Sequence, residues 1–544
     1  MMKIPEFTPT VPELLRYGAT RHGDSELIVH GDRRLCYREL ERQSAELARG
    51  LLARGYGKGS RIAIWMPNGP DWLIAWAAAT RIGAWVVPLN TFYRPKELAW
   101  ALRHSDVQCL LTFSRFLKNE YLVMLEEAMP GLATQTRERL RIATHPFLRE
   151  IHAWNGGDRS WCHSGPDAIV ASARSEATID DDFLRAAEDC VVPADPMVTI
   201  YSSGSTGDPK GAFHSHGALI RHACNLNQFR DLVAADRLYS PMPFFWVGGF
   251  VFALLSIMHV GCCLLSEDSF EAGATLDLLE REGATIVTGW DHYGKAMAEH
   301  PSYADRDLST IRGGNLYPIL PEALRPSDPE LRSNSLGMTE TCGPHTIDRM
   351  DVDLPESLRG SFGHAVPGVE HVIVDPETGE RLPAGEPGEI CVRGYSLMQG
   401  LYKVERAETF DADGFYHTGD GGYFDADGVL FFQARLGEMI KTGGANVTPR
   451  EVEAALEAMA SIREAYVVGI PDADRGEIVA AGVVLQGGEK STPDALRAAL
   501  KRELSAYKVP REIHFFEHDA LPFTDSGKLD KRALVELISS AKMA

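Results

Sequence analysis

The sequence predicts a multi-domain α/β protein, with a large N-terminal domain of α/β layers that includes a β-rich subdomain, and a small α+β C-terminal domain. In the first part of the chain, short apolar segments alternate with helical patterns. Between about 366 and 435, short apolar segments are instead separated by Gly, Pro and Asp. Beyond 446, a helix-capping pattern opens a second mixed region. Alternating strands and helices are typical of a mainly parallel sheet covered by helices.

The first predicted elements show this alternation. Residues 61–66 form an apolar segment that ends at a Pro-Asn-Gly turn signal, which predicts a buried strand. Residues 71–82 have helical spacing, and 84–88 predict the next strand. Pro95 begins another helix, because proline is favoured in the first helical turn.

The later regions follow a different pattern. Residues 372–374, 389–392 and 429–432 are predicted strands of the β-rich subdomain. We predict that the large domain covers 1–435 and the small domain 436–544, with a hinge near Gly437. Thr448-Pro-Arg-Glu451 is a capping box with proline at the first helical position, so it opens the first helix of the small domain.

Composition excludes several classes of protein. Of the 544 residues, 44% are hydrophobic and 24% are charged, which excludes a disordered or collagen-like chain. Lys and Arg number 55 and Asp and Glu 76, so the net charge is −21 and nucleic acid is not an expected partner. Residues 441–544 contain 14 basic and 16 acidic residues, so the acidity belongs to the large domain. An anionic cofactor must therefore be attracted by local charges.

Targeting and redox features predict a cytoplasmic protein. The start MMKIPEFTPT has neither the basic nor the apolar region of a signal peptide. The longest apolar run, 250–265, is shorter than the roughly 20 residues that span a bilayer, so no stable membrane insertion is expected. The nine cysteines show no C-x-x-C spacing, which predicts reduced thiols and neither a disulfide framework nor a zinc site. A homodimer is compatible with the sequence, which does not decide the oligomeric state.

The strongest chemical motif is YSSGSTGDPKG at 201–211, directly after an apolar strand. Small residues let backbone N–H groups approach a phosphate, hydroxyls add donors, and Lys210 supplies positive charge. The spacing differs from that of the Walker loop. Taken alone, these residues are compatible with a phosphate-binding loop or with a plain flexible turn.

This segment closely resembles the signature loop of the adenylate-forming superfamily, and further motifs follow in the family's order. They are GMTE at 337–340, YHTGD at 416–420, Arg435 with IKTGG at 440–444 and VTPRE at 447–451, and PFTDSGK at 522–528. The resemblance spans nearly the whole chain. The acyl-CoA synthetase branch is the most similar, and within it the actinobacterial ligases of fatty, sterol-derived or terpenoid acids.

The resemblance implies a role for each matching residue. ATP or AMP would be bound by Ser202, Ser203, Gly204, Ser205, Thr206, Gly207, Lys210, Gly313, Gly314, Leu336, Gly337, Met338, Thr339, Asp420 and Arg435. Thr206 and Glu340 would hold Mg²⁺, a cation that prefers oxygen ligands. The implied catalytic residues are Lys528, Lys210, Thr206 and Glu340, with Lys528 bridging the substrate carboxylate and the α-phosphate.

The implied reaction joins a hydrophobic carboxylic acid to coenzyme A through an acyl-adenylate, while ATP gives AMP and pyrophosphate. Lys441, Gly443 and Gly444 would lie beside coenzyme A. Trp246, Val247, Gly248 and Gly337 would line the acyl pocket. The resemblance also implies that the small domain is mobile and rotates between the two half-reactions.

Departures from the family pattern keep alternatives open. Leu336 stands where an aromatic residue commonly stacks on adenine, Asn315 lies in the adenine-edge segment, and Gly437 replaces the usual Asp or Lys of the hinge. An enzyme with weak or absent adenylation that mainly carries out thioesterification is therefore one alternative. An amino-acid adenylation domain or a non-catalytic nucleotide-binding homologue is another, although the apolar segment 244–248 lacks the Asp of such adenylation domains and Lys528 is retained.

Overall fold

The computed structural model describes residues 1–541 except 157–158, 203–208, 437–439, 443–444, 448, 473–474, 505 and 525–528. The chain forms two compact units, Met1–Glu370 with Val392–Tyr416, and His371–Cys391 with His417–Ala544. The domain boundary at 435/436 and the hinge near Gly437 stay predictions, because Gly437 lies outside the described residues.

The strands are short, as the sequence predicts. They are β1 (Glu26–His30), β2 (Arg33–Cys36), β3 (Arg61–Trp65), β4 (Trp85–Pro88), β5 (Cys109–Phe113), β6 (Glu150–Trp154), β7 (His163–Ser164), β8 (Pro196–Ser202), β9 (Lys210–Ser215), β10 (Arg237–Tyr239), β11 (Cys263–Ser266), β12 (Ile286–Val287), β13 (Gly313–Gly314), β14 (Ser335–Met338), β15 (Gly343–Ile347), β16 (Val369–Val374), β17 (Gly388–Gly394), β18 (Gly400–Leu401), β19 (Tyr416–Phe424), β20 (Leu430–Arg435), β21 (Ile440–Thr442), β22 (Ala445–Val447), β23 (Ile462–Asp472), β24 (Gly476–Leu485) and β25 (Glu512–Phe515).

The helices alternate with these strands in the first unit. They are α1 (Val11–Arg21), α2 (Tyr37–Ala53), α3 (Pro70–Arg81), α4 (Pro95–His104), α5 (Tyr121–Ala128), α6 (Asp167–Ser175), α7 (Asp181–Asp189), α8 (His216–Leu226), α9 (Ser256–Val260), α10 (Ala272–Glu282), α11 (Asp291–Ala298), α12 (Arg406–Thr409), α13 (Pro449–Glu457), α14 (Pro493–Leu500) and α15 (Lys531–Ala541). A π-helix covers Gly248–Leu255, and several single 3₁₀ turns connect the longer elements. Among the described residues, no helix combines the length and the apolar character needed to cross a membrane.

Two mainly parallel sheets organise the first unit. The larger has the order β18-β9-β8-β4-β3-β5-β6-β7, and only β8–β9 and β9–β18 pair antiparallel. The second has the order β13-β12-β10-β11-β1-β2, in which only β1–β2 is antiparallel. Nearly all of β3 is buried, as expected for a strand covered by helices on both faces. The predicted α/β fold class is confirmed.

Helix α3 lies at the centre of the largest hydrophobic core. Its proline sits in the first turn, and its alanines and two tryptophans are buried on every side. Trp76 packs edge-on against Phe250 at a ring distance of 5.4 Å, and Trp72 packs against Phe244 at 5.2 Å. Such pairs add about 0.5–1.5 kcal/mol beyond their buried area, so they fix the start of the π-helix against α3.

The last residue of α3 provides a stability test. The Arg81 side chain is 2% exposed, and its guanidinium donates to Glu188 Oε1 at 2.6 Å and to Glu41 Oε1 at 2.8 Å. We expect Arg81→Ala to lower the free energy of unfolding by about 3–5 kcal/mol, because it leaves the buried Glu188 carboxylate without this partner. Arg42→Ala, on the exposed face of α2, should change it by less than about 0.5 kcal/mol. Denaturant unfolding of both variants checks this, and equal losses would contradict it.

The second unit contains the sheets of the C-terminal region. Strands β16-β17-β19-β20 form one sheet over the range predicted to be β-rich. Strands β22-β21-β24-β23 form the other, with β25 parallel to β24. Helix α13 begins at Pro449, where the capping pattern predicts it, and packs on β23. The capping residue Thr448 itself lies outside the described residues.

Candidate functional site

The predicted phosphate loop is the connection of a β-hairpin in the first unit. Strand β8 ends at Ser202, β9 begins at Lys210, and these two residues are paired in antiparallel register. Ser202 therefore lies at the carboxyl end of a strand inside the large sheet, the usual place for a ligand in α/β proteins. Ser203, Gly204, Ser205, Thr206 and Gly207 lie outside the described residues, so their roles stay predictions.

Glu340 lies next to Ser202, the last residue of β8 in this hairpin. It lies in a 3₁₀ turn, Thr339–Thr341, directly after β14, which carries Leu336, Gly337 and Met338. The Ser202 hydroxyl donates to Glu340 Oε1 at 3.3 Å, and the Met398 N–H donates to the Glu340 carbonyl at 2.8 Å. The structure therefore brings together two predicted site residues that are 138 positions apart in the chain.

Gly337 allows a close approach of backbones beside Glu340. A Cβ at this position would lie 2.5 Å from the Gly343 carbonyl carbon, in the neighbouring strand β15. No side chain fits there without moving backbone atoms. The glycine of the GMTE motif is thus required by the β14–β15 pairing, independently of any ligand.

His214 contacts Cys342, which directly follows the 3₁₀ turn that carries Glu340. The structure places His214 in the core, with Nδ1 3.0 Å from the Cys342 Sγ. Both side chains are fully buried. His216 Nδ1 accepts the Val11 N–H at 3.2 Å, and His222 Nε2 lies 2.8 Å from the Pro344 carbonyl. His214 and His222 thus connect β9 and α8 to the segment that carries Glu340, whereas His216 connects α8 to the start of α1.

These buried histidines predict acid sensitivity. Burial lowers the pKa of His214 and His222 to about 4 and that of His216 to about 3. The unfolded chain takes up these protons near pH 6.5, whereas the folded chain takes them up only near pH 4 at His214 and His222 and near pH 3 at His216. The free energy of unfolding should therefore fall between pH 6.5 and 4, by up to about 1.4 kcal/mol per pH unit for each histidine. His216→Asn should flatten this slope in unfolding measured at several pH values; an unchanged slope would contradict the assignment.

The adenine-edge segment has a structural role that the motif did not reveal. Gly314 has φ +128°, and a Cβ there would lie 1.9 Å from the Val287 carbonyl oxygen, so only glycine fits. The Asn315 side chain donates to the Gly289 carbonyl at 2.8 Å and accepts the Gly289 N–H at 3.0 Å. Asn315 therefore fixes the backbone next to Trp290 and has both ends of its amide engaged.

Three of the predicted acyl-pocket residues, Trp246, Val247 and Gly248, lie at the start of the π-helix. Trp246 and Val247 precede it and are half-buried, and Gly248 is its first residue. The rings of Phe245 and Trp246 are 5.1 Å apart. The segment predicted to line the acyl pocket thus carries aromatic and aliphatic groups. Trp290, directly before α11, is also half-buried, whereas His292, in the first turn of α11, is exposed.

In the second unit, Asp420 and Arg435 form an ion pair. They are opposite each other in the β19–β20 register, with Arg435 Nε 2.9 Å from Asp420 Oδ1. Asp420 is 4% exposed, so its carboxylate has a fixed orientation. Glu389, which sequence reasoning missed, accepts the Gly419 N–H at 2.9 Å and so anchors the backbone of β19 directly before Asp420. Gly419 needs glycine because its φ is +71°.

The remaining predicted residues of this unit are less completely placed. Lys441 lies in β21, while Gly443, Gly444 and Lys528 lie outside the described residues. Near β21 there is a cleft of about 390 Å³ that no sequence motif predicts, lined by Thr442, Arg475, Val479, Ala506, Tyr507, Val509 and Arg511. Its lining includes two arginines and one tyrosine, a combination that suits a phosphorylated ligand.

Family comparisons match both units. The AMP-binding enzyme family matches residues 15–402, and the AMP-binding enzyme C-terminal domain matches 451–528. YngI of Bacillus subtilis, which carries the provisional name acyl-CoA synthetase, is 31% identical over 538 residues, covering 97% of this chain and 96% of its own. The mitochondrial medium-chain acyl-CoA ligase ACSF2 of Rattus norvegicus is 31% identical over 546 residues, covering 97% and 87%.

A solved structure shows the same fold. ATP-bound MatB from Rhodopseudomonas palustris matches with a TM-score of 0.79 at 24% identity, covering 98% of this chain and all of that one. The fold, the ordered motifs and the two family matches agree along the whole length of the chain. The protein therefore belongs to the AMP-binding enzyme family of adenylate-forming enzymes and, within it, to the acyl-CoA synthetases, which are acid–thiol ligases.

Proposed function

We propose that the enzyme converts a hydrophobic carboxylic acid into its acyl-CoA thioester through an acyl-adenylate. In the first step, a carboxylate oxygen attacks the α-phosphorus of ATP and pyrophosphate leaves. In the second, the sulfur of coenzyme A, having lost its proton, attacks the acyl carbon and AMP leaves. The mixed anhydride is required because a free carboxylate is a poor electrophile.

The observation that carries this proposal is the hydrogen bond between Ser202 and Glu340 at the end of β8, next to the predicted phosphate loop. It joins a hydroxyl and a carboxylate next to the loop that the family motif assigns to ATP. Both are oxygen donors, so the described part of the site fits Mg²⁺, and Thr206 would add another oxygen. The ion would neutralise phosphate charge when bound, while Glu340 and Ser202 hold its position.

The apolar acyl group is supported by the pocket's composition. Trp246, Val247 and the π-helix contribute aromatic and aliphatic surface, and the buried rings of Phe244 and Phe250 lie behind them. A carboxylic acid bound here would bury apolar area, worth about 25 cal/mol per Å². The chain length and branching of the acid stay open to experiment.

Coenzyme A is expected to use the cleft of the second unit. Its phosphates would pair with Arg475 and Arg511, and Tyr507 offers a ring for stacking. We expect Arg475→Ala to raise the KM for coenzyme A about tenfold, the effect of losing about 1.4 kcal/mol, with adenylation unchanged. Arg502→Ala removes an exposed positive charge outside the cleft and is the matched control. Equal KM changes in both variants would contradict this assignment.

The test separates the two half-reactions. One arm supplies ATP, Mg²⁺, coenzyme A and a panel of straight-chain, aromatic, sterol-derived and terpenoid acids. The other supplies synthetic acyl-adenylates with coenzyme A, and mass spectrometry follows both. Acyl-CoA in both arms, with preference for apolar acids, is the expected result. No thioester in either arm would overturn the ligase proposal.

A second candidate is an enzyme that mainly performs thioesterification from a supplied acyl-adenylate. The observation that favours it is Asn315, whose amide is engaged with Gly289, together with the absence of an aromatic ring at Leu336. Losing a stacking partner costs about 0.5–1.5 kcal/mol, which weakens nucleotide binding without abolishing it. Acyl-CoA from the adenylate arm alone would favour this candidate.

The cytoplasmic location stays a prediction, and the rat relative is mitochondrial.

A further inference from the structure

Three side chains with metal-binding atoms lie together on the sheet that carries Asp420. Glu389 and Cys391 are two residues apart on β17, so both point to the same side of the strand. His417 lies on the neighbouring strand β19. Its Nδ1 is 2.8 Å from Glu389 Oε2 and 3.4 Å from Cys391 Sγ. The three ligand atoms all lie within 4.8 Å of one another.

We propose that Glu389, Cys391 and His417 form a binding site for a thiophilic divalent metal ion, with Zn²⁺ as the expected occupant. Thiolate, imidazole and carboxylate are all zinc ligands, with metal–ligand distances of about 2.0–2.3 Å. Ligand atoms that are already this close need only small shifts to surround one ion. Sulfur and nitrogen ligands do not suit Mg²⁺, so this site differs in chemistry from the one proposed at Glu340.

The surroundings support a site of this kind. The His417 side chain is 43% exposed, which gives the ion a path to the otherwise buried Cys391 and leaves room for water as a fourth ligand. Glu389 uses its other oxygen, Oε1, to accept the Gly419 N–H at 2.9 Å. Such outer hydrogen bonds orient ligating carboxylates. The cysteine spacing could not reveal the site, because its ligands come from separate strands.

A second cluster, Glu150, His152 and His163, provides a contrast. Its ligand atoms are equally close, but Arg54 donates to Glu150 Oε2 at 2.8 Å, the same oxygen that lies 3.0 Å from His152 Nε2. A guanidinium cation therefore already binds the carboxylate oxygen that a metal ion would need. We expect no thiophilic metal to bind there, and it serves as an internal control.

The experiment titrates the full-length enzyme with Co²⁺ and records the thiolate-to-metal charge-transfer band, followed by displacement with Zn²⁺. The wild type should show the band, and Cys391→Ser should lose it. His417→Ala should weaken Co²⁺ binding at least about tenfold. Loss of a residue that only hydrogen-bonds to a metal ligand already costs about 10–100-fold in metal affinity, and His417 is a proposed ligand itself. Cys190→Ser, at an exposed thiol, and His163→Ala, in the second cluster, should bind as the wild type does.

Other outcomes would overturn the proposal. A wild type without the band, a band that persists in Cys391→Ser, or a band lost in Cys190→Ser would each do so. Circular dichroism checks that the variants are folded. If Cys391→Ser does not fold, His417→Ala decides the matter, because its side chain is partly exposed and its removal leaves the core intact. Zinc binding should also release about one proton per ion, since the Cys391 thiol must ionise, which calorimetry in two buffers measures.

Discussion

Lys528→Ala is expected to slow acyl-adenylate formation about 100- to 1000-fold, the effect of removing one charge-stabilising donor. The resemblance of 522–528 to the family motif implies that this lysine would bridge the attacking carboxylate and the α-phosphate, where negative charge develops in the first step only. Thioester formation from a supplied acyl-adenylate should be nearly unchanged. Pyrophosphate release measures the first step, and mass spectrometry of acyl-CoA measures the second.

The contrast between half-reactions is what identifies the role. Lys490→Ala, which removes an equivalent charge from an exposed position of the same unit, should leave both steps intact. A global loss of folding would reduce both steps together. Equal loss in the two half-reactions of Lys528→Ala would therefore contradict a role confined to adenylation.

Much of the fold could be predicted from periodicity, because buried parallel strands and amphipathic helices leave strong patterns. The strand predicted at 61–66 is β3, Arg61–Trp65, and the helix predicted at 71–82 is α3, Pro70–Arg81. The one-residue differences lie at helix and strand ends, where turn residues compete with the regular element. Pro95 begins α4 as predicted, since its fixed φ suits the first helical turn.

The candidate site could be predicted only where chemistry is local in sequence. The hairpin at 202–210 and the GMTE turn are such cases, and tertiary structure then joins Ser202 to Glu340. The motif position of Asn315 predicts contact with the nucleotide, whereas its amide hydrogen bonds show a positioning role that depends on Gly289, 26 residues earlier in the loop after β12. Glu389 and Arg475 resemble ordinary surface charges in the sequence. Their significance comes from neighbours that only the fold supplies.

Asp420→Ala should weaken AMP binding more than 100-fold. The carboxylate is buried and fixed by Arg435 and by the anchored backbone at Gly419, and the resemblance to the family implies that it would accept from both ribose hydroxyls. Hydrogen bonds to a charged group contribute about 1.5–3 kcal/mol each, so losing two costs about 3–6 kcal/mol. Isothermal titration with AMP measures the effect directly. The AMP affinity of Asp420→Asn should lie between those of the wild type and of Asp420→Ala.

The fold should tolerate this change, which makes the binding measurement interpretable. Removing one member of a buried ion pair is costly when the other is left buried, but the Arg435 side chain is 58% exposed and can be solvated by water. Asp427→Ala, at an exposed turn of the same sheet, is the matched control and should bind AMP normally. A folded Asp420→Ala that lost less than about threefold in AMP affinity would contradict the role as a ribose ligand, because two hydrogen bonds to a carboxylate contribute much more than that. Asp420 would then serve to position Arg435.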